Sequence, residues 1–204
     1  MKKQRPEETF GSVIDYFDES RCSEYSQSKS MMRIQRRITL RALELLEIPK
    51  GNHLILDAGC GPGFTSFYLN ELKYTLIALD LIPYFLKYYD MRMLNPISAD
   101  MCFLPFKPSI FDAILSISAL QWVYREIDNQ KMNFNLINLI KSFYNVLKPN
   151  SKAIFQFYPK NTAIMDSIGK IITNNSRFKG NYIIDNPENP KKRKVFLMLQ
   201  KESE

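Results

Sequence analysis

Three glycines in five positions, Gly59, Gly61 and Gly63, follow an apolar run and an acid in LILDAGCGPGF, Leu54 to Phe64. Glycines so spaced let a backbone approach a ligand closely. No Lys-Ser or Lys-Thr follows, which excludes the phosphate-binding P-loop, GxxxxGK with Ser or Thr. The spacing is GxGxG rather than the dinucleotide GxGxxG, and Asp57 just before it suits a cationic ligand better than a pyrophosphate. About 20 residues on stands Asp80, where a carboxylate accepts hydrogen bonds from both ribose hydroxyls. Asp100-Met101 ends the next apolar segment and is placed for an adenine amino group and its ring face. Ribose, adenine, a positive tail and no phosphate describe S-adenosylmethionine. Cys60 in the turn, Leu81 after Asp80 and Ser116 further on complete the candidate contacts. The competing reading is a structural glycine turn with unrelated acids.

These residues need a scaffold that brings strand ends together. A helix is expected from Ser30, with Met31, Ile34, Ile38, Ala42, Leu45 and Ile48 as its apolar stripe and Pro49 to Asn52 as its stop. Strands are expected over 53–57, 74–80, 97–99, 111–118 and 153–158. Helices are expected over 62–72, 84–93, 132–147 and 161–173, with a turn at Pro149-Asn150. Such alternation predicts an α/β, Rossmann-like fold: a mostly parallel seven-stranded sheet with helices on both faces. Two last strands, 182–184 and 195–199, have no helix between them and predict a terminal hairpin with one antiparallel strand. Residues 1–29 read as an N-terminal arm over the active site, and 30–204 as the catalytic domain.

Composition narrows the partners. Lys plus Arg number 28 against 21 Asp plus Glu, a net +7, which favours an anionic partner such as nucleic acid or is merely a basic surface. Three widely spaced cysteines (Cys22, Cys60, Cys102) and one histidine, His53, argue against a zinc site and a disulfide framework. The N-terminus lacks a signal-peptide core, and no apolar run reaches the about 18 residues a membrane span needs. A cytoplasmic location is expected, nuclear or nucleolar if the source is a eukaryote.

The segments LDAGCGPG, ALD, SAD and FDAILSISALQW resemble successive motifs of class I S-adenosylmethionine-dependent methyltransferases. Further segments, RIQRRITLRALELL, SISALQW, QFYPKN and DNPENPKKRKVFLML, resemble one family within it: the small-subunit rRNA guanine-N7 methyltransferases. The resemblance runs from about Arg5 to Gln200. It implies methyl transfer to a guanine N7 of small-subunit rRNA in ribosome biogenesis, and an activator partner, a small zinc-ribbon protein that adds a strand at the sheet edge. Eukaryotic members carry a basic C-terminal tail where this sequence stops at Glu204, which suits an archaeal or reduced form.

Residue chemistry agrees with that reading. Ser116 to Ala119 stands where exocyclic-amine methyltransferases often carry an Asn/Asp-Pro-Pro-Tyr/Phe signature. Neither Cys60 nor Cys102 is where a carbon-5 nucleophile sits. Guanine N7 has an in-plane lone pair, so no general base is required and catalysis is positional. Trp122 is a stacking face for an extruded base, or a core cap; Gln121 is placed to read a Watson–Crick edge. Tyr158, Lys160 and Asn161 wall the pocket and take a phosphate, or form a turn with Asn161 as a helix cap. The resemblance adds Tyr16, Phe17, Asp18 and Tyr25 of the arm, closing over cofactor and base. Arg33, Arg36, Arg37 and Arg41 form a phosphate-binding row or a solvated face with Arg41 paired to Glu44. Lys191 to Lys194 resembles a nuclear signal, but sits where a charged turn is commonplace. Phe85, Tyr88, Tyr89, Met91, Met93 and Leu94 make the 82–97 segment apolar most of the way round, which suggests a protein partner or tight packing within the domain. A small-molecule methyltransferase and a ribosome-assembly factor are the competing functions.

Overall fold

The computed structural model describes residues 4–49, 51–89 and 94–203. Three short helices come first: α1 (Pro6–Thr9), α2 (Val13–Tyr16) and α3 (Glu19–Ser26). Then follow α4 (Lys29–Leu46), β1 (Leu54–Ala58), α5 (Phe64–Glu71), β2 (Thr75–Asp80), α6 (Pro83–Leu86) and β3 (Ile97–Ser98). A 3-10 turn at Met101–Phe103 leads to β4 (Phe111–Ile117), α7 (Leu120–Val123), α8 (Gln130–Val146) and β5 (Leu147–Phe157). The chain closes with α9 (Thr162–Asn175), β6 (Phe178–Asp185) and β7 (Lys194–Lys201).

The described residues form a seven-stranded sheet of order β3-β2-β1-β4-β5-β7-β6. Its strands pair in parallel except β7, which runs antiparallel between β5 and β6. The terminal hairpin and the lone antiparallel strand are thus as expected. Between β1 and β4 the order reverses relative to the chain, the switch point where open α/β sheets bind ligands at the carboxyl ends of their strands. One sheet face packs on α8 and α9 through Leu136, Phe143, Ile168 and their neighbours; the other packs on α4 and α5 through Ile38, Ala42 and Leu69. Both faces are covered, so central strands read as apolar runs.

Three expectations are corrected. The buried face of α4 is Gln35, Ile38, Thr39, Ala42 and Leu46, while Ile34 is exposed. The stripe is rotated because Gln35 and Thr39, polar in sequence, have buried partners. Pro149-Asn150 is not a separate turn: β5 starts at Leu147, opposite Phe111, and the register jumps so that Lys152 faces Ala113. The residues between bulge outward, with Asn150 in a left-handed conformation. The helix expected over 84–93 is, in its described part, the single turn α6. Phe85 is buried with Cys22 and Ile82 under Phe17 and Tyr25, and Tyr89 and Leu94 are buried beside Cys60 and Ala78. The segment is apolar all round because the arm covers one side and the domain the other. Tyr88 is exposed, as is Tyr84. Met91 and Met93 lie outside the described residues.

Gly63 holds the turn and the helix together. It caps α5 at φ 94°, and a β-carbon there would lie 2.8 Å from the Phe67 ring and 2.9 Å from the Tyr89 ring. Both rings are themselves packed, with centroids 5.2 Å apart. Gly63→Ala is expected to cost about 3 kcal/mol, combining left-handed strain with overpacking. Denaturant unfolding measures this; a loss below about 1 kcal/mol contradicts the account.

Candidate active site

The carboxyl ends of β1, β2 and β4 and the arm enclose a cavity of about 850 Å³. Gly59, Cys60 and Gly61 line it from the first turn, Asp80 and Leu81 from the second, and Asp100 and Met101 from the third. The backbone N–H groups of Gly59 and Cys60 donate to the Leu79 carbonyl at 2.8 and 3.0 Å, tying the turn to β2. Gly61, at φ 53°, has open space where its side chain would be, so the backbone itself faces the cavity.

Asp80 is the hub. Gly61 N–H donates to its Oδ2 at 2.7 Å and Ile82 N–H to its Oδ1 at 2.8 Å. An ionised carboxylate has about four acceptor positions, so each oxygen keeps one for a ligand hydroxyl. Burial pushes its carboxyl up to about 6, against the pull of those backbone donors. Asp100 accepts from Cys102 N–H at 2.8 Å, which orients the start of the 3-10 turn and Met101 beside it. Tyr25, reaching in from α3, also lines the cavity, and its hydroxyl accepts from Gln35 Nε2 at 3.3 Å. Together these offer hydroxyl acceptors, an open glycine backbone and apolar ring contacts, a donor set that fits S-adenosylmethionine.

Some expected residues stand elsewhere. Asp57 does not line the cavity: it is 1% exposed and accepts from Ser66 Oγ at 2.5 Å, with the Tyr89 hydroxyl 3.0 Å from the same oxygen. Burial, reinforced by Asp80 and opposed by the Ser66 hydrogen bond, pushes it up to about 7. Gly63 and Ser116 also lie behind the cavity wall, the Ser116 hydroxyl facing Met101 Sδ at 3.9 Å. Asp18 caps α3, accepting from Arg21 N–H at 2.8 Å, outside the cavity. Asn161 caps α9, accepting from Ile164 N–H at 3.0 Å. Lys160 lines a second, smaller cavity of about 200 Å³ together with Gln4, Arg5, Glu7 and Tyr158.

Gln121, Trp122 and Tyr158 do line the main cavity. Trp122 has one face taken: Tyr16 stacks on it with centroids 5.6 Å apart and planes at 26°. The arm is fastened over this end. Arg5 Nη1 donates to the Tyr158 carbonyl at 2.8 Å, and Arg125 Nη2 to the Phe10 and Gly11 carbonyls at 3.3 and 3.0 Å. Behind it, Gln35 Nε2 also donates to Ser118 Oγ at 3.3 Å, and Ser118 Oγ donates to Gln156 Oε1 at 2.9 Å. The sequence reading missed Glu7, Gln35 and Arg125. Gln35 carried a signal, a polar residue within the apolar helix stripe; the other two carried none.

Of the arginine row, Arg41 is paired with Asp185 and Glu44, and Arg36 lies 3.6 Å from Glu71 and over the Tyr68 ring. Arg33 and Arg37 are exposed. The Lys191 to Arg193 run lies in the exposed β6–β7 loop. Among the described residues no cluster of His, Cys, Asp and Glu is arranged to hold a metal, and no helix is long and apolar enough to cross a membrane.

This sheet order and site are those of the class I S-adenosylmethionine-dependent methyltransferases. The "Methyltransferase domain" family model matches residues 56–155. A TehB-like methyltransferase from Corynebacterium glutamicum superposes with TM-score 0.65 at 15% identity, covering 91% of this chain and all of that one. A phosphoethanolamine N-methyltransferase from Haemonchus contortus, solved with S-adenosyl-L-methionine, gives 0.62 at 16%, covering 82% of this chain and 53% of that one. These likenesses concern the fold. Sequence relatives lie nearer. The 18S rRNA (guanine-N(7))-methyltransferases of Bos taurus and Mus musculus are 31% and 30% identical, covering 90% and 97% of this chain and 67% and 72% of theirs. A Saccharomyces cerevisiae relative of the same kind is 34% identical over 90% of this chain and 68% of its own length. The chain belongs to this family of methyltransferases, with S-adenosylmethionine as methyl donor and S-adenosylhomocysteine as product.

Proposed function

We infer that the chain methylates N7 of a guanine in small-subunit ribosomal RNA. The observation that carries this reading is identity of about 30% to proteins named for that reaction, spread over nine-tenths of the chain. It takes in the arm, Gln121, Trp122 and Tyr158, which lie beyond the contacts expected of the cofactor. The cofactor supplies an electrophilic methyl group on a sulfonium. The N7 lone pair forms the new N–C bond, the C–S bond breaks, and its electron pair stays on sulfur. No proton leaves N7, so no base is required. His53, the sole histidine, does not line the cavity. The chain's part is to orient the base and to stabilise the positive charge that passes to the purine, the task of carboxylates at the chamber wall.

The zinc-ribbon activator belongs to the same reading. In its support, among the described residues β3 pairs only with β2 and its other edge is unpaired, with Tyr84 and Tyr88 exposed nearby in sequence. A strand added there by a partner would protect that edge. A small-molecule substrate is the second reading, favoured by the arm's closure over the chamber and by Tyr16 on Trp122. To separate the two, the chain is co-expressed with its zinc-ribbon activator and given labelled S-adenosylmethionine and small-subunit particles. The RNA is then mapped by cleavage specific for N7-methylguanine. One cleavage position is the expected result. Cofactor binding without RNA label, together with label on extracted small metabolites, rejects the rRNA reading.

A further inference from the structure

We propose that the arm's Glu7 and the neighbouring Gln121 form an acceptor pair that selects guanine by its Watson–Crick edge; this rests on the guanine-N7 reading. Glu7 is a charged residue only 8% exposed. Its side chain makes no hydrogen bond or ion pair with another described residue. It lines both the main chamber and the small cavity beside it, as Gln121 does. Gln121 is 7% exposed, and its Nε2 donates to the Ser118 carbonyl at 2.7 Å. A carbonyl accepts only from the amide NH2, so this bond determines which way the amide points. Its Oε1 is left buried with no partner. A buried acceptor without a donor is costly, and native folds keep few of them without a reason.

Two acceptors without donors, on residues that both line the chamber and the small cavity beside it, call for a ligand with two adjacent donors. Among the four RNA bases guanine has them, at N1–H and the N2 amine. Adenine places an acceptor at N1, cytosine an acceptor beside its amine, and uracil a single N–H between two carbonyls. N7 lies on the five-membered ring, across the purine from N1. A guanine held by its donor edge against Glu7 and Gln121 therefore turns N7 away from them, into the chamber that Gly61 and Asp80 also line. The carboxylate has a second effect. Methylation makes the purine cationic and its N1–H a stronger donor, so the bond to Glu7 tightens as the methyl group passes. Interactions that strengthen toward the transition state raise the rate, not only the affinity.

The test uses the full chain with its activator and two small-subunit substrates, one carrying guanine at the mapped position and one carrying inosine, which keeps N7 and N1–H but lacks the N2 amine. For the wild type, kcat/KM is expected to fall about 5- to 100-fold on inosine, the cost of leaving the buried Gln121 Oε1 without the N2 amine. Gln121→Leu is expected to be slow on guanine and to fall less than about 3-fold further on inosine, because its contact to the N2 amine is already gone; Glu7→Gln is expected to be slow on both bases and to keep the wild-type ratio, because the N1–H it faces is present in both. Retained affinity for S-adenosylhomocysteine verifies the fold of each variant, and each variant tests its own contact. Equal wild-type activity on both bases overturns the proposal, as does undiminished discrimination in folded Gln121→Leu or undiminished guanine activity in folded Glu7→Gln. Absence of N7 methylation by the wild type is a separate result that removes the guanine-N7 reading itself, and the proposal with it.

Discussion

Asp80→Ala is expected to weaken binding of S-adenosylhomocysteine by a factor of about 100 or more, with the fold retained. The side chain takes the Gly61 and Ile82 N–H groups, one on each oxygen. It thereby holds the glycine turn at its distance from β2 and keeps its remaining lone pairs free for the ribose hydroxyls expected there. Removing it forfeits the charge-assisted bonds to ligand hydroxyls, each about 1.5–3 kcal/mol, and leaves two backbone donors near a site that must stay ordered. The carboxyl, raised to about 6 by burial, must be ionised to accept both hydroxyls. Wild-type affinity should therefore rise as pH goes from 5 to 7 and then level off. Calorimetric titration across that range tests both statements. Affinity of the alanine variant within threefold of wild type removes Asp80 from the site.

A second large effect concerns stability. Asp57 is fully enclosed, with its carboxyl pushed to about 7 from an ordinary 3.8. A carboxyl raised in the folded state holds its proton where the unfolded chain has released it. The folded state is therefore favoured most below pH 4, and that contribution is lost as pH climbs to 7, by roughly 4 kcal/mol on linkage. Asp80 acts in the same direction over a narrower range. The ligand-free chain should thus lose thermal stability from pH 4 to pH 7. Asp57→Asn, which keeps the shape and removes the charge, should flatten most of that slope and exceed wild type in stability at pH 8. Scanning calorimetry of both proteins decides; equal slopes would exclude Asp57 as the source.

Much of the scaffold was legible because its signals are local. Strand–helix alternation, the closing pair of strands and acids at three successive strand ends each depend on a few neighbouring residues, and the sheet places Asp80 and Asp100 as expected. Asp57 shows where locality fails. Its place in the motif suggests a ligand contact, yet Ser66 and Tyr89, from two other segments, close around it and seal it from the cavity. The 82–97 segment shows the same failure at larger scale. Its apolar residues suggested an outside partner, but Phe85, Tyr89 and Leu94 are covered from within, Phe85 by Phe17 and Tyr25 of the arm. Lys160 and Asn161 stand next to Tyr158 in sequence, yet only Tyr158 faces the main chamber. The backbone turns there, and Asn161 is committed to capping α9.

By itself the sequence determined the class of fold, the strand ends that line the main cavity and the family to which the chain belongs. Glycine spacing, alternating hydrophobic periods and an acid at a strand end act over one or two elements, and the chain writes them out in order. Only the tertiary structure decided what the rest of the chamber is made of. Arg5 reaches Tyr158, Arg125 reaches Phe10 and Gly11, and Glu7 comes to share a cavity with Gln121. Each joins residues more than 110 positions apart, and such contacts arise from packing the arm against a finished sheet, which no local pattern encodes.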